Sequence, residues 1–154
     1  MALILKSSAF GEGARIPSRF TADGENVSPP LAWSDAPPST QSFALVCSDP
    51  DAPRGTWYHW AVYDLPGTLS QLNEGQPRVA GAADGRQAIS DFEEPGWGGP
   101  CPPQGDGDHR YRFHLMALDI PSLELPEQAT CADVERAAAD HVVGESILTA
   151  TYSR

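Results

Sequence analysis

Apolar residues in this chain gather in short runs separated by long polar, proline-rich stretches. The run Ser42–Ser48 (Ser-Phe-Ala-Leu-Val-Cys-Ser) is nearly continuous, the pattern of a strand buried on both faces. Thr56–Leu65 is rich in aromatic and β-favouring residues and is stopped by Pro66-Gly67. Arg110–Leu118 predicts a third strand, with shorter ones at Ala2–Lys6 and Ser146–Tyr152. Strand periodicity places Trp57, His59, Ala61 and Tyr63 on one face of the Thr56–Leu65 strand. It likewise groups His109, Tyr111, Phe113, Leu115 and Ala117 on one face of the third, so that Arg110, Arg112 and His114 point outward and the arginines pair with surface carboxylates. Gly67 to Gly107 is rich in Gly, Pro and Asp and reads as loops with short strands inside.

A helical period occurs near the C-terminal end. Thr130 is a good N-cap, and Asp133 suits the positive end of a helix dipole. Val134, Ala137, Ala138, His141 and Val142 form an amphipathic stripe, and Gly144 supplies a stop. The expected helix is Cys131–Val143. Strands first and one late helix predict an antiparallel β fold with a peripheral helix.

The length of 154 residues suits a single domain, 1–154. No window approaches the ~18 to 20 apolar residues of a membrane span, so no integral membrane association is expected. The apolar start, Met1 to Lys6, has neither a basic segment nor a cleavage site and reads as a strand rather than a signal peptide. Fifteen prolines, about twice the usual ~5% share, support a loop-rich, strand-dominated fold. The net charge of −11, with only ten scattered Lys and Arg residues, argues against a nucleic-acid partner. Three widely spaced cysteines, Cys47, Cys101 and Cys131, make no complete disulfide framework and fit a reducing, cytoplasmic setting.

Three segments put ionisable residues at the ends of apolar strands: Asp49-Pro-Asp-Ala-Pro53, Tyr58-His59-Trp60 and Asp108-His-Arg-Tyr-Arg-Phe113. Each alone has an ordinary explanation. A lone buried histidine is more often a hydrogen-bonded core residue than a ligand, and Asp-Pro-Asp-Ala-Pro is more often a turn than a site. The segment Gly98-Gly-Pro-Cys-Pro-Pro103 alone is a rigid loop, and Cys101 in it a small filler.

Taken in order, however, Asp49-Pro-Asp-Ala-Pro53, His59-Trp60, Gly99-Pro-Cys-Pro-Pro103 and Gly107-Asp-His-Arg-Tyr-Arg-Phe113 resemble the signature of the phosphatidylethanolamine-binding protein family. Asp23-Gly-Glu-Asn-Val-Ser-Pro-Pro-Leu31 resembles an upstream motif of its bacterial, Raf-kinase-inhibitor-like branch. The resemblance implies a mainly β fold, an antiparallel Greek-key β-sandwich of two sheets with a small C-terminal helix and a pocket at one end. It implies that Asp49, His59 and His109 line that pocket, with Asp51, Tyr111 and the Pro100–Pro103 loop, Pro100 and Cys101 included, around it. The ligand it implies is a small anion: phosphate, acetate or the phosphoethanolamine head group of a phospholipid. Cys101 departs from the eukaryotic pattern, which has Gly before the Pro-Pro pair. The chain also lacks the extended C-terminal helix of eukaryotic members.

Two imidazoles and a tyrosine hydroxyl would supply donors to an anion. Asp49 would hold one imidazole by a ring N–H and leave the other nitrogen for ligand. Affinity is then expected to rise as the histidines take up protons below about pH 6.5. No catalytic residue, cofactor or metal ligand is assigned. The rival readings are a pocket-based hydrolase or metal-dependent enzyme, weakened by the lack of an activated nucleophile, apart from Cys101 near a histidine, and of dedicated metal-ligand spacing, and a protein-interaction module or protease- or kinase-inhibitor-like regulator with an unknown partner. Kinship to the bacterial branch also implies a homodimer.

Overall fold

A computed structural model describes residues 2–81 and 84–154. The described strands are β1 (Ile4–Lys6), β2 (Leu31–Ser34), β3 (Ser42–Asp49), β4 (Trp57–Pro66), β5 (Gln71–Leu72), β6 (Arg86–Gln87), β7 (His109–Leu118) and β8 (Val142–Tyr152); the helix α1 (Cys131–Ala138) precedes the last of them. All strand pairs are antiparallel and form two sheets, a small one in the order β1-β2-β5 and a large one in the order β6-β4-β3-β7-β8. The architecture is mainly β, two antiparallel sheets and one short C-terminal helix, as expected.

The central strand β3 explains its own sequence. Phe43, Leu45 and Cys47 enter the core between the two sheets, beside Leu5, Trp33, Trp60, Phe113 and Leu148. Ala44 and Val46 enter a second core on the other face, where Cys131, Val134 and Ala138 of α1 cover the sheet. Both faces are dry, so no polar alternation survives. Burying each of these larger side chains stabilises the fold by roughly 1.5–3 kcal/mol, and together they hold β3, β4 and β7 rigidly side by side.

The helix begins as predicted and ends early. Thr130 Oγ1 accepts from the Asp133 N–H (3.2 Å), while the Asp133 carboxylate accepts from the Thr130 N–H (3.0 Å), a reciprocal capping box. The predicted end at Val143 is corrected to Ala138. The chain tightens into a 3-10 turn, Ala139–His141, because ladder pairing with β7 already starts at Val142, opposite Leu118. Gly144 therefore stops no helix. It lies in β8 opposite Ala117, and a Cβ there would stand 2.9 Å from Pro37 Cγ, so its missing side chain admits a close crossing. His141 leaves the packed stripe and faces Asp119 (3.3 Å). No helix among the described residues is long and apolar enough to cross a membrane.

Candidate ligand-binding site

Antiparallel pairing brings the C-terminal end of β3 and the N-terminal ends of β4 and β7 to one end of the large sheet. Asp49 stands opposite Trp57, and Ser48 opposite Arg112. A cavity of about 230 Å³ opens there. Asp49, His59, His109 and Tyr111 supply its polar wall, and Ala52, Pro53, Trp57, Phe92, Cys101, Pro102 and Pro103 its other sides.

His59 reaches this cavity by an irregularity. Cys47 pairs with Trp60 and Ser48 with Tyr58, so His59 is one extra residue in β4. A bulge re-aims the side chain it carries. Simple alternation would put His59 with Ala61 and Tyr63, which pack on the helix side. That placement is corrected: the His59 ring meets Tyr111 edge-on at 5.2 Å, on the cavity side of the sheet.

Once there, His59 is clamped. Its Nδ1 lies 2.6 Å from the Gly98 carbonyl, an acceptor, so Nδ1 carries the proton and the neutral ring keeps a lone pair on Nε2. The Gly98 N–H in turn donates to the His59 carbonyl (3.1 Å). Burial lowers the His59 pKa, outweighing the Gly98 carbonyl and the carboxylates of Asp49 and Asp91, which favour its charged form.

His109 has the opposite character. Nδ1 lies 2.6 Å from Asp49 Oδ2 and Nε2 lies 2.5 Å from Asp106 Oδ2. Carboxylates accept and do not donate, so satisfying both requires the imidazolium. Burial pushes the His109 pKa down, but its hydrogen bonds to Asp49 and Asp106 prevail and the net movement is upward. Asp49 holds one ring nitrogen, but the other faces Asp106 rather than being left open as expected; the second Asp49 oxygen accepts from the Asp51 N–H (2.7 Å).

Tyr111 is buried to the last atom, yet its hydroxyl has no hydrogen-bond partner among the described residues. Burial and the nearby Asp49 carboxylate raise its pKa, so it stays a neutral donor.

Two other expectations need correcting. Asp51 does not line the cavity: Arg110 grips it with Nε and Nη2, each at 2.9 Å, and this bidentate pair holds its carboxyl down at about 2. The two carboxylates of the Asp49–Pro53 turn therefore part, Asp49 inward to His109 and Asp51 outward to Arg110. Pro100 is also outside the cavity lining, because its carbonyl turns away to accept from the Ala22 N–H (3.0 Å). Pro102 and Pro103 take the rim, together with the exposed Cys101, whose Sγ lies 3.2 Å from Arg154 Nη2.

Sequence reasoning missed Asp106 and Phe92. Phe92 is an exposed aromatic that touches both Trp57 and His59, at 5.4 Å each; nothing in Asp91-Phe-Glu-Glu-Pro95 announces a pocket. Asp106 had a signal, the glycines that flank it at φ of +80° and +85°.

The upstream segment near Asp23 buttresses the site. The Gly99 N–H donates to Asn26 Oδ1 (2.8 Å), and Trp97 Nε1 donates to the Phe20 carbonyl (3.0 Å). A Cβ on Gly99 would sit 2.3 Å from that carbonyl oxygen, so only glycine permits this approach. Asp23 accepts from the Tyr152 hydroxyl (2.6 Å) and from Arg154 Nη1 (3.0 Å).

The same architecture occurs in YbcL of Escherichia coli, a structure described as a new member of the mammalian PEBP family. It superposes with a TM-score of 0.93 at 28% identity, covering 100% of this chain and 99% of that one. The UPF0098 protein of Methanothermobacter thermautotrophicus is 45% identical over 97% of this chain and 98% of its own length. That of Aquifex aeolicus is 43% identical over 96% and 86%. The profile of the phosphatidylethanolamine-binding protein family matches residues 6–153. This chain belongs to that family.

Proposed function

We propose that the cavity binds a small molecule carrying an oxyanion, a phosphate or carboxylate on a compact organic group, and that the protein acts as a ligand-binding rather than a catalytic member of its family. The observation that carries this reading is the unpartnered Tyr111 hydroxyl, a buried neutral donor on the wall of a cavity that also contains an imidazolium. A ligand oxygen that reached it past the cavity lining would satisfy it, and each charge-assisted hydrogen bond to an anion contributes roughly 1.5–3 kcal/mol. His59 adds a refinement. Its free Nε2 accepts, so it suits a ligand O–H or ammonium N–H rather than a bare oxyanion. Monoprotonated inorganic phosphate offers both oxyanion and hydroxyl, and phosphoethanolamine offers oxyanion and ammonium. Trp57, Phe92, Pro102 and Pro103 would flank the organic part.

The sharp rise in affinity expected near pH 6.5 does not fit this arrangement. Burial moves His59 below that range while the two carboxylates move His109 above it. Between those limits the protonation pattern is constant. Against a hydrolase, Cys101 faces Arg154 rather than a histidine, and both ring nitrogens of His109 are taken, which leaves it no lone pair to act as a base. The proposal keeps the cytoplasmic setting suggested by three unpaired cysteines.

Calorimetric titration with phosphate, phosphoethanolamine and acetate at pH 7.5, repeated with Tyr111→Phe, tests the reading. Saturable binding that the variant weakens at least about tenfold supports it. Binding that the variant leaves intact overturns it.

A further inference from the structure

The second ring nitrogen of His109 is the position that an incoming oxyanion would take, and Asp106 Oδ2 already stands there at 2.5 Å. The two partners of this contact differ sharply in exposure. The His109 side chain is 3% exposed and that of Asp106 is 41% exposed. Asp106 thus reaches the ring from solvent and stands just outside the residues that line the cavity, whereas Asp49, on the other nitrogen, lines it and is buried with the ring. The Asp106 side chain already borders solvent, so it can leave the ring without its backbone moving. Gly105 and Gly107 both adopt left-handed conformations, and the space where a side chain would stand on either is open. The backbone of this turn is tied by the Asp106 N–H to the Pro103 carbonyl (3.2 Å) and the Gly105 N–H to the Arg154 carbonyl (3.1 Å).

We propose that Asp106 is a built-in competitor: its carboxylate occupies the oxyanion position on His109 Nε2, and a ligand binds by exchanging with it while the side chain swings out to water. This rests on the oxyanion-binding reading above and adds the residue that sets its selectivity. The exchange has a chemical consequence. Replacing one carboxylate by another on the same N–H gains little, because bond type and charge are unchanged. A phosphate dianion brings more charge to the imidazolium and a hydroxyl for His59 Nε2, so it displaces Asp106 where a monocarboxylate does not. Asp106 also gives the second imidazolium N–H an acceptor when no ligand is bound, which spares the fold an unsatisfied donor beside the Asp49 pair. The pocket therefore discriminates against the abundant small carboxylates of a cell without a steric filter.

The test uses wild type, Asp106→Ala and Asp106→Asn, titrated calorimetrically with inorganic phosphate and with acetate at pH 7.5. Asp106→Ala removes the competitor, and Asp106→Asn keeps its shape with a weaker, neutral acceptor. Both variants are expected to bind acetate about ten- to a hundredfold more tightly than wild type, the ratio one charge-assisted hydrogen bond carries. Phosphate affinity should rise less, so the phosphate-to-acetate preference falls. The downfield imidazole N–H proton on His109 Nε2, seen by NMR in wild type, should shift in Asp106→Asn and shift again when phosphate is added. Equal Kd values in all three proteins, or weaker binding in the variants, overturn the competitor while leaving the pocket reading intact. Binding by none of the three overturns both. Binding by the variants alone supports both and shows the competitor to be the stronger partner.

Discussion

Replacing Tyr111 by Phe should make the protein more stable and a worse binder at once. The substitution deletes one oxygen and leaves the ring, which is fully buried and meets His59 edge-on at 5.2 Å. That oxygen is desolvated without compensation. An unsatisfied buried polar group costs about 1–3 kcal/mol; taking the lower figure, the variant gains about 1 kcal/mol. For a chain of this length such a gain raises Tm by about 2–4 °C. Tyr152 provides the control of opposite sign, because its hydroxyl donates to Asp23 at 2.6 Å. Tyr152→Phe should instead lower Tm, because it removes that bond and leaves Asp23 with Arg154 Nη1 (3.0 Å) and solvent. Thermal melts and urea titrations of the three proteins, with and without saturating phosphoethanolamine, give the whole pattern. Ligand should raise the wild-type Tm and barely move that of Tyr111→Phe. If Tyr111→Phe melts at or below wild type, the hydroxyl is satisfied in solution and the reasoning from an orphaned donor is wrong.

The histidines also predict a stability profile. His59, held below its ordinary value, withdraws stability as pH falls below about 6.5. His109, held above, contributes stability that is full below about 6.5 and is lost as pH rises through its raised value. The two together place a maximum near 6.5; urea melts from pH 5 to 9 should show His59→Gln flattening the acid limb and His109→Gln the alkaline limb. Gly99→Ala, which drives a Cβ into the Phe20 carbonyl at 2.3 Å, should cost about 1–3 kcal/mol and abolish phosphate binding, as melts and calorimetry will record. Burial pushes the thiols of Cys47 and Cys131 up, the latter to about 12, whereas Cys101 is exposed on the rim. Iodoacetamide followed by mass spectrometry should therefore label Cys101 first among the three, and more slowly with phosphoethanolamine present. The homodimer implied by kinship predicts a sedimenting mass of two chains at micromolar concentration; a monomer mass refutes it.

Much of this was legible in the chain itself, and the failures share a cause. The doubly buried β3 and the outward arginines of β7 follow from side-chain period alone, and the Thr130 cap from local hydrogen-bond chemistry. Periodicity fails where a tertiary contact changes the count. The extra residue in β4 moved His59 to the other face of the sheet, and no propensity marks a bulge between tyrosine and tryptophan. Gly144 resembled a helix stop because the crossing of Pro37 is not local in sequence. Asp49 and Asp51 looked equivalent in their motif; only the position of Arg110, fifty-nine residues beyond Asp51, sends one of them outward. Asp106 is three residues before His109, and strand period does not reach it: the contact with Nε2 depends on the turn between Gly105 and Gly107, which side-chain alternation does not describe.

The bulge at His59 also bears on how such a site can change over generations. Pairing runs directly from Trp60 opposite Cys47 to Tyr58 opposite Ser48, so the ladder closes without the intervening residue. Neighbouring positions on β4 keep their faces whatever occupies position 59. The sheet carries this imidazole as a supernumerary insertion, and selection can replace it without renegotiating the core. A lineage can therefore retain this fold while trading one pocket specificity for another through a single codon.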